Sequence, residues 1–263
     1  MAALDIRRPG VWFGEKPTQP RDDALWVYKN SQEEEKKLLA ICELLKMGDF
    51  SLVRELQALL LTSSNAPVKE FALRLYFGVT DHRGVDFFWD LLKSPDYEAA
   101  RIFALYAPHS LSPQVLPYLF ALLEEFYDSV LRADIAYSIH ALYPMQEEFN
   151  PNLDLETLRI QYRRASQHIE DGVYYFRGRP AFIGDLTKPL LSAAYQARAR
   201  GDALKLTDEP TLVSIWSGVK CPADYSTLVD DAGLKQLMDY VSELASKPWR
   251  KGQKYFYNHP IPG

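Results

Sequence analysis

The sequence predicts a mainly all-α protein: a HEAT-like α-solenoid of helical hairpins, then a C-terminal α-rich module containing irregular or short β segments. Three observations predict it. Between Glu33 and Tyr143 apolar residues recur at three- and four-residue spacings, which places them on single helical faces. Each run is short and stops at Gly, Pro, Ser, Asn or Asp, residues that interrupt helices and open turns. Three of the predicted helices finish on Leu-Tyr (Leu75-Tyr76, Leu105-Tyr106, Leu142-Tyr143), spaced 30 and then 37 residues apart. Helical hairpin repeats show a loose period of this kind.

The elements follow in order. Residues 1–30 are proline-rich and form an N-terminal capping segment, in which Trp12 and Phe13 plug onto the first helices or, as the alternative, mark an aromatic surface site. Residues 31–150 form the repeat region. Its first pair spans about 33–46 and 50–62, with Leu38, Ile41, Cys42 and Leu45 as one apolar face. Asn65 or Ser64 caps the next helix, with Pro67 in its first turn, and Val68, Phe71, Ala72, Leu75, Tyr76 and Val79 share its buried face. Helix 84–93 completes the second pair, and 96–107 with 112–126 make the third. Asp128 caps a closing helix with Leu131, Ile135, Ile139 and Leu142 inward.

Residues 151–263 form the C-terminal helical module. Helix 155–170 has a narrow stripe of Leu155, Leu158, Tyr162, Ala165 and Ile169, and its arginine side meets acidic residues of a neighbouring helix or stays in solvent. Residues 174–184 are too rich in turn formers for a helix. Asp185 caps a helix to about Arg200, stopped by Gly201, with Pro189 forcing a kink or a later start. Thr211–Gly218 reads as a short helix or a strand, and a last amphipathic helix covers about 232–246.

Composition bounds the function. With 47% hydrophobic and 25% charged residues the chain reads as a globular protein with a real core. It has no run of about 18 apolar residues and no apolar leader, so neither a membrane span nor a secretory signal is expected. Cys42 and Cys221 are far apart in sequence, and a reducing compartment without a disulfide is expected. Residues 1–150 hold 22 acidic against 15 basic groups, and residues 151–263 hold 13 against 15. The acidic half argues against nucleic acid as the ligand, since phosphate binding needs the opposite sign.

Chemistry is hard to place. The histidines fall in no metal-ligand spacing, and there is no nucleophile elbow, phosphate loop or H-E-x-x-H. No catalytic residue, cofactor or metal is assigned, and the chain reads as a binder. Within 84–131, Asp86, Asp90, Asp96, Glu98, Glu124, Glu125 and Asp128 face only Lys93 and Arg101. That stretch is either a solvated helix surface or an electrostatic dock for a basic partner. On an α-helix Val85, Phe88, Trp89 and Leu92 fit the buried stripe, which leaves Phe87 as the exposed aromatic unless the helix is buried all round. Asp86, Phe87, Asp90, Asp96, Glu98, Glu124, Glu125 and Asp128 are therefore the candidate partner-binding residues.

Four stretches carry a resemblance. They are Trp12–Lys16, the helical-repeat middle, Arg177–Lys188, and Gly252–Tyr257. Together they resemble a family of bacterial immunity proteins that neutralise polymorphic toxins, including those of contact-dependent inhibition. The resemblance implies a HEAT-like α-helical protein of the cytoplasm that binds and blocks the C-terminal domain of its cognate toxin. It supplies no contact residues. Many such toxins are nucleases with basic clefts, which an acidic surface would steer and hold. The rival from another class is a general helical-repeat adaptor for a peptide or protein. A helical-repeat nucleic-acid enzyme is disfavoured by the acidic half.

Overall fold

The computed structural model describes residues 14–93, 95–144 and 154–262. Among the described residues the chain is mainly α-helical, with two short β-hairpins. It divides into two compact units. One takes the described part of Met1–Asp49 together with Phe182–Pro260, and the other takes Phe50–Ala181 with the residues after Pro260. Trp12 and Phe13, expected as a cap, lie outside the described residues.

The first unit holds α1 (Arg21–Asn30), α2 (Glu34–Lys46), α10 (Ile183–Arg200), α11 (Asp208–Ser217), α12 (Asp231–Ala245) and the hairpin β3 (Tyr255–Phe256)–β4 (His259–Pro260). α1 packs on α2, and α10 packs on both α11 and α12. The stripe Leu38, Ile41, Cys42 and Leu45 is buried, as the spacing of three and four requires. Residues 208–217 resolve as a helix, not a strand. Trp216 is fully buried at its end, with the rings of Tyr255 and Trp249 at 5.5 and 6.1 Å. The expected N-cap at Asp185 is displaced. α10 starts at Ile183 behind Phe182, and Asp185 lies in the first turn, where a carboxylate complements the positive end of the helix dipole. The helix runs through Pro189 to the left-handed Gly201.

Both cysteines are buried and free. Burial pushes Cys42 up to about 12 and Cys221 up to about 11. A thiol held protonated by burial is a poor nucleophile. Ellman's reagent is therefore expected to modify neither thiol in the native protein within minutes and both in guanidinium. Rapid native labelling would contradict this packing.

The second unit holds α3 (Val53–Thr62), α4 (Ala66–Val79), the single turn α5 (Phe88–Leu91), α6 (Tyr97–Tyr106), α7 (Leu116–Glu125), α8 (Leu131–Leu142), α9 (Leu155–Ser166) and the hairpin β1 (Tyr175–Phe176)–β2 (Arg179–Pro180). α3 packs on α4, α4 on α6, α6 and α7 on α8, and α9 on α7. Asn65 caps α4 and Asp96 caps α6, each through a side-chain oxygen accepting from the third residue on. Asp128 does not cap α8: Val130 holds the N-cap position with no side-chain cap bond, and the Ser129 hydroxyl before it accepts from Leu131 N at 3.2 Å. The repeated Leu-Tyr pairs diverge in environment. Tyr76, Tyr106 and Tyr143 are all buried, but Leu105 is 45% exposed where Leu75 and Leu142 are buried.

Each unit contains a hairpin built the same way, 80 residues apart in sequence. Gly172 and Gly252 are left-handed at φ 74° and 75°. Tyr175 and Tyr255 each accept from the backbone N–H five residues back, at Glu170 and Arg250. The two-residue turns Arg177-Gly178 and Tyr257-Asn258 all have positive φ, the type I′ geometry that suits the twist of a hairpin. Arg177 N donates to Ala141 O in α8, and Tyr257 N donates to Ile215 O in α11. Both hairpins thus fasten to a carbonyl near a helix end. Gly218, left-handed at φ 65°, closes α11 against Tyr257, and a Cβ there would lie 2.5 Å from the ring. Gly218→Ala is expected to destabilise the protein by about 1–3 kcal/mol, measured by urea unfolding. A change under about 0.5 kcal/mol would contradict that contact.

Candidate partner-binding surface

The surface is set by a short segment. Residues Arg83–Phe87 form a 3-10 turn, and only Phe88–Leu91 close an α turn. Side chains advance about 120° per residue in 3-10 geometry against about 100° in an α-helix, so a stripe drawn for one α-helix does not hold. Phe88 is the anchor. It is fully buried, with Phe77 and Phe103 both at 4.9 Å and Tyr118 at 5.7 Å. Phe87 is half-buried and turns edge-on to Tyr76 at 5.5 Å. Trp89 is the one expelled, at 61% exposure. The expectation that Phe87 is the exposed aromatic and Trp89 the buried one is therefore reversed.

Trp89 lies against Tyr118 of α7, ring centres 4.8 Å apart. The two rings line a cleft of about 480 Å³ with Leu92, Lys93, Leu122 and Glu125. Burial, with the Asp86 carboxylate as the next cause, pushes the Tyr118 phenol up to about 12. Asp86, Asp90, Glu125 and Asp128 are exposed and form no ion pair among the described residues.

The remaining candidates separate from this group. Asp96 and Glu98 line a second cleft of about 280 Å³, with Leu60, Lys69, Leu73 and Ile102. Asp96 spends an oxygen on the Ala99 N–H at 2.7 Å. Arg101 holds Glu98 with two donors at 2.6 and 2.9 Å, which lowers the Glu98 carboxyl below its usual range. Glu124 takes Arg159 of α9 at 2.7 Å, so the arginine side of α9 does meet a neighbouring acid. Adjacent carboxylates on α7 point about 100° apart, and Glu124 serves α9 while Glu125 faces the cleft.

The cleft is aromatic at its centre, with Lys93 and Glu125 as its charged lining residues. Among the described residues no cluster of three or more His, Cys, Asp or Glu is placed to hold a metal ion. The model of the family described as immunity protein 47 matches residues 9–261. The chain belongs to that family. Immunity protein 47 is a family of toxin immunity proteins by its description, which makes a protein surface the feature to look for in this chain. Comparison with curated proteins and with solved structures gave no match. Trp89 was the residue that sequence periodicity missed. The signal available was length: between Gly84 and Pro95 there is little room for a two-turn helix to establish a phase.

Proposed function

We propose that the protein binds the C-terminal domain of its cognate toxin in the cytoplasm and neutralises it by occupying its surface, without catalysis of its own. The observation that carries the reading is the exposed Trp89 on Tyr118 in a cleft that Glu125 lines, on a stretch that also exposes Asp86 and Asp90, in a member of an immunity family. A large aromatic at the centre of a patch with polar groups around it is what interface hot spots contain. The carboxylates favour a basic partner, such as a nuclease-type toxin of a contact-dependent inhibition system. No helix among the described residues is long and apolar enough to cross a membrane. The serial packing of α3 through α8 supports an irregular HEAT-like stack in the second unit.

The test pairs the protein with the toxin domain encoded beside its gene. Co-expression should restore growth, and the purified complex should lose at least about tenfold in affinity between low and high salt. Growth arrest despite stable expression would overturn the reading. A tight but salt-independent complex would remove the basic-partner part alone.

A further inference from the structure

The second unit carries a cavity that the toxin reading does not use. It measures about 620 Å³ and lies on α3 and the α4–α5 connection, lined by Arg54, Gln57, Tyr76, Asp81, Arg83 and Gly84 among others. Its volume falls in the range of small-molecule sites, about 300–1,000 Å³. Its floor is a fixed chain of hydrogen bonds. Gln57 Nε2 donates to the Tyr76 hydroxyl at 2.7 Å, Tyr76 donates to Gly84 O at 2.7 Å, and Gly84 N donates to Asp81 Oδ1 at 2.7 Å. A methyl group at Gly84 would run into the Thr80 and Tyr76 hydroxyls, so the loop is held against the floor.

Two arginines stand on this cavity in the half of the chain that is otherwise acidic. Neither Arg54 nor Arg83 forms a hydrogen bond or ion pair among the described residues, and both are exposed. Arg54 is also the second residue of α3, where a cation opposes the helix dipole, so helix stability does not explain it. The carboxylate on the wall, Asp81, is engaged with the Gly84 N–H. The charged groups lining the space are Arg54, Arg83 and Asp81, so two guanidinium forks, groups suited to carboxylate or phosphate oxygens, outnumber one carboxylate above a floor of amide and hydroxyl.

We infer that this cavity binds a small ligand through an oxyanion, carboxylate or phosphate, held between Arg54 and Arg83. The remainder of the ligand lies over Gln57 and Tyr76. The site shares no lining residue with the Trp89 cleft.

The test is calorimetric titration of the full-length protein with three probes: glutamate, inorganic phosphate and adenosine 5′-monophosphate. At least one should bind with a Kd below about 1 mM, and the double variant Arg54→Gln/Arg83→Gln should weaken it at least about tenfold. Circular dichroism and melting temperature, unchanged because both side chains are exposed, confirm the fold. Binding of glutamate alone assigns a carboxylate, and binding of either phosphate probe assigns a phosphate. No binding up to about 10 mM by any probe, or binding that the double variant leaves intact, would overturn the inference.

Discussion

Trp89→Ala is expected to weaken the complex with the toxin domain by about 2–4 kcal/mol, roughly 30- to 1,000-fold in Kd. The size follows from its position. Trp89 is 61% exposed in the free protein, yet its ring already rests on Tyr118 in a formed cleft. A partner would therefore bury a large ring that has lost most of its freedom beforehand, which limits the entropic cost of docking. The same exposure means that truncation should change folding stability by no more than about 0.5 kcal/mol. Phe87→Ala provides the contrast. Phe87 packs on Tyr76 and Phe88, so its loss should lower stability and leave affinity nearly unchanged. Titration calorimetry and urea unfolding on the two variants separate the roles.

The second large effect is on folding. Glu43 and Lys46 are both buried on α2, with Lys46 Nζ 3.0 Å from Glu43 Oε1. The other Glu43 oxygen accepts from the Thr18 backbone N–H and from its hydroxyl at 3.0 Å. Lys46 also lies 5.5 Å from the centre of the Tyr257 ring. Glu43→Ala removes a buried acceptor and the carboxylate 3.0 Å from the buried Lys46 ammonium, a loss of about 3–5 kcal/mol. A double replacement, Glu43→Leu with Lys46→Met, should recover much of it, because packed apolar side chains are frequently as stable as a buried pair. Urea unfolding followed by tryptophan fluorescence reads both. A Glu43→Ala loss below about 1 kcal/mol would show that the pair is not holding α2.

The sequence made the helices legible wherever one helix kept a single phase for three turns. The faces of α2, α4 and α8 were readable because the residues spaced three and four apart are buried, although burial spreads right round the C-terminal halves of α2 and α4. The cap at Asn65 was readable for the same local reason, whereas Asp96, read as a partner-binding residue, caps α6. Phase failed where geometry changed within a few residues, as at Arg83–Leu91, and that failure exchanged Phe87 for Trp89. The paired hairpins were present in the sequence as two stretches with Gly, Tyr-Phe and Pro at matched spacing. Their match shows in the backbone, since Gly178 and Asn258 are different residues that meet the same demand for positive φ. The acidic stretch was legible as charge, but ion pairing was not. Arg159 reaches Glu124 across 35 residues of sequence, which no local pattern reports. Helix partners were hidden likewise, because periodicity gives the face of α2 but not that α1 covers it.

The most direct measurement of the central claim is the affinity of the cognate toxin domain for the native protein and for Trp89→Ala, taken side by side by titration calorimetry. The native protein should form a tight, salt-sensitive complex, and a fully folded Trp89→Ala one at least about 30-fold weaker. Equal affinity for the two would contradict the assignment of the Trp89–Tyr118 cleft as the toxin-binding surface.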